Sequence, residues 1–302
     1  MTPLSLAENR PHPDEIMANG EYPLTRRDLA DIAAMIYSDA GIYLNESKAS
    51  LVYSRLSKHI RALGLKGFRD YCALVASPEG ATARREMLSH LTTNFTRFFR
   101  ENHHFEHLRD HVLPGLVARA KNGGRVRIWS AACSDGQEPY SIALTVLSML
   151  PNATDYDFRI LATDIDPKIL AAAKAGVYDE GALETVSPPM RKQWFREVEA
   201  GGRRKFQVDE RVKKLITFNE LNLMAQWPFK GNFDVIFCRN VVIYFDEPTQ
   251  MKIWSRFAAL LPEGGHLYIG HSERVSGDAK HLFDNTGITT YRHIGKAAGR
   301  KA

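Results

Sequence analysis

From Val126 onward, short apolar runs alternate with helical patterns, and this alternation restricts the fold more than any other feature of the chain. Val126–Trp129 reads as a buried strand, and Ser141–Leu150 as a helix with Ile142, Leu144, Val146, Leu147 and Leu150 apolar. Further strands are expected at Phe158–Ala162, Leu215–Phe218, Phe233–Cys238 and Gly265–Gly270, with helices at Pro167–Lys174 and Pro248–Leu261. Strands alternating with helices imply βαβ units, a mostly parallel sheet and right-handed crossovers. The interval from Thr163 to Leu215 is longer than one crossover requires. It contains Gly201-Gly202, flanked by Trp194-x-Arg-x-Val198 and Phe206-x-Val208, which predicts a β-hairpin. A small antiparallel β insertion is therefore expected near 194–212.

Before this region the period is helical. Thr25 and Asp28 have the spacing of a capping box, and Leu29, Ile32, Ala33 and Ile36 follow at helical intervals. A second helix over Ser47–Leu63 gathers Val52, Leu56, Ile60 and Leu63 on one face and Arg55, Lys58 and Arg61 roughly opposite. Two more are expected near Phe68–Ala76 and Ala81–Leu91, with no strand signal. The predicted organisation is a flexible lead-in over 1–24, an all-α domain over 25–105, an α/β domain over 106–294 and a frayed tail over 295–302.

A chain of 302 residues accommodates two such domains. Its 44% hydrophobic and 25% charged content excludes disorder, collagen and coiled coil as the dominant class. A net charge of +5 is mild steering, not the footprint of a nucleic-acid coat. Cys72, Cys133 and Cys238 form no CxxC pair, so neither a disulfide framework nor a zinc site is indicated, and reduced thiols fit a cytoplasmic address. No run of 18 apolar residues and no signal-peptide pattern occurs, so no membrane insertion is expected.

Chemistry concentrates where strands end. Ala131-Ala-Cys-Ser-Asp-Gly-Gln-Glu-Pro-Tyr-Ser141 follows the first strand, and its small residues let a ligand approach the backbone. Open α/β sheets bind ligands at that edge. The plainer reading is a tight βα turn. Thr163-Asp164-Ile-Asp166 ends the second strand; Asp164 stands where nucleoside-binding folds grip ribose, while Asp166, before Pro167, reads as a helix cap. A cap is the plainer reading of Asp164 too. NAD and S-adenosylmethionine (SAM) both suit these features. The glycine-rich diphosphate cradle of a dehydrogenase is missing, which favours SAM. Phe233–Phe245 then delivers Arg239, Asn240 and Tyr244 to the same edge, without an Asn-Pro-Pro-Tyr-type tetrad. Thr92–Phe105 joins the two domains and is dense in polar groups among phenylalanines; Arg100 suits a two-pronged bond to a carboxylate, or an ion pair within a hinge. His103-His104 has no supporting ligand spacing, so no metal is expected. Lys48, Arg55, Lys58 and Arg61 lie on one helix with no acid between Ser47 and Leu63, which suits either solvent or an anionic partner.

Together these stretches resemble the chemotaxis receptor methyltransferases, the CheR family. The resemblance runs from about Thr25 to His293. It rests on Thr92-Thr-Asn-Phe-Thr-Arg-Phe-Phe-Arg-Glu, Trp129-Ser-Ala-Ala-Cys-Ser-Asp-Gly-Gln-Glu-Pro-Tyr-Ser, Ala162-Thr-Asp-Ile-Asp, Cys238-Arg-Asn-Val-Val-Ile-Tyr-Phe and Gly270-His-Ser-Glu, in that order. It implies an all-α N-terminal domain, a Rossmann-like SAM-dependent methyltransferase domain and a small β-subdomain. By similarity Asn94, Thr96, Arg100, Glu138, Asp164, Asn222, Leu223, Arg239 and Asn240 line the SAM site, and Arg100 and Tyr244 flank the transfer. The implied reaction forms methyl esters on glutamate side chains of membrane chemoreceptors, with S-adenosylhomocysteine as product and no metal. The implied location is the cytoplasm, at receptor arrays. Ala132 stands where glycine is frequent in the family, and Gln137 where glutamate is frequent.

The implied chemistry accords with the residues. A glutamate carboxylate, with a reference pKa of about 4.3, is already a nucleophile at neutral pH and needs no general base. Arg55, Lys58 and Arg61 are the expected docking face for acidic receptor helices. In some members the β insertion adds a receptor-tail peptide along its edge. Two rivals stay open: a SAM methyltransferase acting on RNA or a small acid, and a non-catalytic SAM-sensing module.

Overall fold

Capping and apolar spacing together shape the N-terminal unit. The computed structural model describes residues 12–92 and 94–295. Thr25 caps helix α1 (Arg26–Ala40): its hydroxyl accepts the Asp28 amide at 3.2 Å, and the Asp28 carboxylate accepts the Thr25 amide at 3.3 Å. Helices α2 (Ala49–Ala62), α3 (Phe68–Ala76) and α4 (Ala81–Leu91) follow. Leu29, Ile32, Ile36, Val52, Leu56, Ile60, Tyr71, Val75 and Met87 bury their side chains between these helices. Fully burying such a side chain is worth about 1.5–3 kcal/mol. Leu63 departs from the expected face. It follows the last turn of α2 and is exposed.

Residues 1–11 of the expected lead-in lie outside the described residues; the rest departs from expectation. Strand β1 (Ile16–Ala18) pairs antiparallel with β2 (Leu24–Thr25), and Leu24 is wholly buried. Burial of Leu24 gives residues 16–24 a reason to be ordered that their prolines and acids do not advertise. The expected tail from 296 onward lies outside the described residues. The unit ends at residue 93 and the second begins at Asn94, earlier than the boundary expected at 105.

In the second unit α5 (His103–His107) passes through a wide turn at Leu108–Val112 into α6 (Leu113–Lys121). The chain then alternates: β3 (Val126–Ala131), α7 (Gln137–Met149), β4 (Phe158–Asp164), α8 (Pro167–Ala175), β5 (Val177–Tyr178), α9 (Pro188–Trp194), β6 (Phe195–Ala200), β7 (Arg203–Val208), α10 (Glu210–Lys213), β8 (Ile216–Glu220), β9 (Val235–Cys238), α11 (Glu247–Leu260), β10 (His266–Ile269), β11 (Phe283–Gly287) and β12 (Thr290–His293). Seven strands form one sheet in the order β11-β12-β10-β9-β3-β4-β8. The pairings from β10 to β8 are parallel, and β12 runs antiparallel to both its neighbours. Helix α7 is buried from Gln137 to Leu147, as its apolar composition requires.

The strand order reverses at β3. The chain steps outward through β4 to β8, then returns to place β9 and β10 on the other side. Register aligns the carboxyl ends: Ala131 lies opposite Thr163 and Cys238, Asp164 opposite Glu220, and Ile269 opposite Cys238. Such a switch point opens a crevice beyond those ends.

The expected insertion is present. β6 and β7 pair from Phe195–Val208 to Ala200–Arg203, leaving Gly201-Gly202 as the two turn residues. Their φ values of 62° and 68° are those of a type I′ turn, which glycine adopts without strain. β5 adds a third strand, giving the order β5-β7-β6.

Candidate active site

The loop after β3 is the first wall of the crevice. Ala132, Ser134 and Gly136 have φ of 57°, 52° and 98°, so the backbone turns through left-handed residues before α7 begins. A Cβ on Gly136 would lie 3.0 Å from the Ala173 Cβ and 3.0 Å from the Tyr178 hydroxyl. Only glycine brings the loop this close to α8. Ala132 occupies a left-handed conformation that glycine favours.

Asp164 braces that loop. Its carboxylate accepts the Ser134 amide at 2.8 Å and the Asp166 amide at 3.1 Å, and it is buried. Burial pushes its carboxyl above the ordinary value against the pull of those amides. The Ser134 hydroxyl in turn donates to the Asn94 carbonyl at 3.1 Å. Two amides leave about two of four acceptor positions on Asp164 for a ligand. Asp166 is the cap the sequence predicts, accepting the Lys168 and Ile169 amides before Pro167.

A second cluster centres on Arg239, just beyond β9. Its side chain is 2% exposed and pairs with Glu138 at 3.2 Å and Glu101 at 3.3 Å. It also donates to the Arg100 carbonyl. Ser130 donates to the other Glu138 oxygen at 2.7 Å. Burial raises the Glu138 carboxyl, with Arg239 and Ser130 opposing. Glu101 further accepts Nδ1 of His271 at 3.0 Å and Nδ2 of Asn240 at 3.4 Å. Burial alone would raise Glu101; Arg239, His271, His104 and Asn240 outweigh it and hold the carboxyl at about 2. Asn240 has a left-handed φ of 58°.

The remaining predicted residues sit around these clusters. Arg100 donates to the Phe95 carbonyl at 3.0 Å. Asn222 and Leu223 follow β8; the Asn222 side chain accepts the Met224 amide at 2.8 Å. The Leu223 carbonyl accepts from Arg256 at 2.6 Å and from the Trp227 indole at 3.2 Å. Thr96 and Tyr244 are half-buried, Tyr244 at the end of a tight turn over Val242–Tyr244. Arg55 and Arg61 have work within the N-terminal unit. Arg55 donates to the carbonyls of Leu91 at 2.9 Å and Thr92 at 2.8 Å at the end of α4, and Arg61 pairs with Glu21. Lys58 is exposed.

Sequence reasoning assigned no role to Glu101, Ser130, Ser134, His271 or Glu273. All five fall inside the stretches that carry the resemblance, but the partners of Glu101 and most of those of Glu273 lie far away in sequence. Glu101, His103 and His104 also bring ligand-capable atoms within 4.8 Å of one another. The Glu101 carboxylate there already faces the Arg239 cation, which would repel a second one. Burial, then Arg239 and His103, push the His104 imidazole down to about 3.

The donor set suits SAM. Carboxylates stand at the end of β4 (Asp164) and the start of α7 (Glu138, its two oxygens held by Ser130 and Arg239), and side-chain amides follow β8 (Asn222) and β9 (Asn240), acceptor chemistry that suits a ligand presenting ammonium and hydroxyl donors. A family model described as the CheR methyltransferase SAM binding domain matches residues 94–292, and one described as the CheR methyltransferase all-alpha domain matches residues 27–92. This chain belongs to the CheR methyltransferase family. A probable chemotaxis protein methyltransferase of Rhizobium etli is 85% identical over 268 residues, covering 89% of this chain and 100% of that protein. Chemotaxis protein methyltransferase 2 of Pseudomonas aeruginosa is 41% identical, covering 92% of this chain and 97% of its own. The chemotaxis protein methyltransferase of Escherichia coli is 39% identical, covering 86% and 88%. By homology this CheR-family chain is a chemotaxis protein methyltransferase. Among its described residues no helix is long and apolar enough to cross a membrane.

Proposed function

We propose that this chain transfers a methyl group from SAM to glutamate side-chain carboxylates of chemoreceptors, forming methyl esters in chemotaxis adaptation. The observation that carries this reading is the match of both CheR domains along almost the whole chain, with relatives named chemotaxis protein methyltransferases. The chemistry of the crevice supports it. When bound, SAM supplies a methyl group on a good leaving group, a sulfonium. The chain's own residues then need mainly to orient two partners and exclude water. Such alignment contributes about 7–11 kcal/mol to lowering a barrier.

In this reading Asp164 takes the ribose hydroxyls, and Glu138 the amino group of the methionine portion. Asn94, Thr96, Asn222, Leu223, Arg239 and Asn240 complete the SAM contacts. Arg100 holds a carboxylate in line and Tyr244 positions the acceptor. The substrate is the cytoplasmic part of a membrane chemoreceptor, and the chain works in the cytoplasm beside it. Because Arg55 and Arg61 are engaged in their own unit, Lys58 is the strongest remaining contributor to an electrostatic docking face.

The test uses methyl-labelled SAM, the purified protein and a cytoplasmic chemoreceptor fragment. Label released from the receptor as methanol by mild base is the expected result. Base-stable label, or no label while SAM binding persists, overturns the proposal. Tyr244→Phe is expected to lower turnover more than about threefold; a smaller change removes the hydroxyl from the mechanism.

A further inference from the structure

Two quoted stretches, Cys238–Phe245 and Gly270–Glu273, prove to be one unit joined through a single side chain. After β9 the backbone amides of the next turn converge on Glu273. One oxygen accepts the amides of Val241 at 3.0 Å and Val242 at 2.8 Å; the other accepts those of Asn240 at 3.1 Å and Gly270 at 2.5 Å. Glu273 is 4% exposed, and among the described residues no cation pairs with it. A buried carboxylate is tolerated when hydrogen bonds replace its water, and here four peptide dipoles do so. The same four amides lie outside regular strand or helix pairing, so the carboxylate satisfies donors that would otherwise be stranded.

The contact fixes a sharp turn. Asn240 is left-handed, a conformation that asparagine adopts more readily than other side chains but that the chain leaves for extended or helical backbone unless held. Gly270 packs directly on it: a Cβ there would lie 2.4 Å from Asn240 Nδ2 and 2.7 Å from its backbone nitrogen. The bonded turn continues from Val241 to the Tyr244 amide at 3.1 Å and from Val242 to the Phe245 amide at 3.0 Å. One carboxylate thus anchors the start of the segment that carries Arg239, Asn240 and Tyr244.

We propose that Glu273 is a positioning residue for methyl transfer: its bonds to four amides set the backbone from 239 to 244, and through it the placement of Arg239, Asn240 and Tyr244. This rests on the proposed roles of those three residues. It goes further by assigning a task to a side chain that need touch neither cofactor nor substrate. The core does not depend on the contact, since β9 pairs with β3 and β10 through its own backbone and buries Val235–Cys238.

Glu273→Gln tests it, being equal in size but turning an acceptor toward the amides into a donor. The readouts are amide hydrogen exchange, calorimetric affinity for S-adenosylhomocysteine, and methylation of a chemoreceptor fragment. Exchange is expected to rise at least tenfold at residues 240–242 and 270 and to stay unchanged at Ile236 and Phe237. Affinity should fall at least tenfold, and kcat/KM at least thirtyfold. Faster exchange at 240–242 with affinity and turnover within twofold of wild type overturns the proposal. So does exchange rising equally across β3, β9 and β10, which marks a structural role only. If Glu273→Gln does not fold, Gly270→Ala displaces Asn240 from the other side and is judged by the same limits. If the wild type binds S-adenosylhomocysteine yet methylates no receptor, the reading of the reaction fails, while exchange and affinity still judge Glu273.

Discussion

Replacing Arg239 by methionine should be among the most damaging single changes in the C-terminal unit. The guanidinium is 2% exposed and faces two carboxylates, Glu138 and Glu101, whose side chains are 11% and 13% exposed. Methionine keeps much of the volume and removes the charge, leaving both acids buried and facing each other. Removing one partner of a buried pair typically costs about 3–5 kcal/mol. For a domain of this size that corresponds to a fall in melting temperature of roughly 6–20 °C. The sign of the pH dependence follows from Glu101. Its carboxyl is held at about 2 in the folded protein, below the unfolded value of about 4.3. The stabilisation it carries is complete above the unfolded value and is lost as pH falls toward 2. The deficit of Arg239→Met should therefore be largest at pH 7 and smaller at pH 3. Urea unfolding followed by tryptophan fluorescence reads this unit alone, because Trp129, Trp194, Trp227 and Trp254 all lie in it. A deficit under about 1 kcal/mol, or one equal at both pH values, would refute the assignment of a buried charge cluster.

Three further outcomes are expected. Gly136→Ala adds a Cβ at 3.0 Å from two atoms on a left-handed backbone and should cost about 2–4 kcal/mol, with S-adenosylhomocysteine affinity falling in the calorimetric titration used for Glu273→Gln. Burial pushes the Cys133 and Cys238 thiols well up and Cys72 to about 12, so Ellman's reagent at pH 8 should label the native protein negligibly and all three sites in denaturant. Arg55→Ala removes guanidinium bonds to the carbonyls ending α4 and should destabilise the helical unit by about 1–2 kcal/mol. Far-UV circular dichroism during a thermal melt detects that change, which tryptophan fluorescence would miss.

The sheet was legible because buried parallel strands are short, apolar and punctuated. Phe158, Pro167 and the Gly201-Gly202 turn marked their elements within a residue or two. Strands β5, β11 and β12 were not read, since β5 has two residues and β11 is mostly exposed, with no apolar run to announce either. β12 buries only Thr290 and His293, three residues apart, so it lacks the period-two alternation that announces a strand. The site loops were legible from their place at strand ends. What those loops do for each other was not. Asp164 reads as a ribose ligand, yet half its acceptor capacity holds the Ser134 and Asp166 amides. Glu273 reads as an unremarked acid, because its partners are backbone amides, three of them some thirty positions earlier, that carry no side-chain signature. Arg55 reads as a free surface cation, because the carbonyls ending α4 are invisible in a residue pattern.

Phe99, Glu101, Ala132, Ser134 and Asn240 are five of the six non-glycine residues with a left-handed backbone among those described. The crevice is therefore marked by dihedral angles as well as by functional groups, and that mark has its own substitution grammar. At Ala132 and Ser134 a glycine relieves crowding between Cβ and the next carbonyl, whereas valine, isoleucine or threonine adds a second branch where there is no room for the first. A saturation library of this chain should thus lose its β-branched variants at these positions while keeping its glycines, so the outline of the site would emerge from tolerance data even with its chemistry ignored.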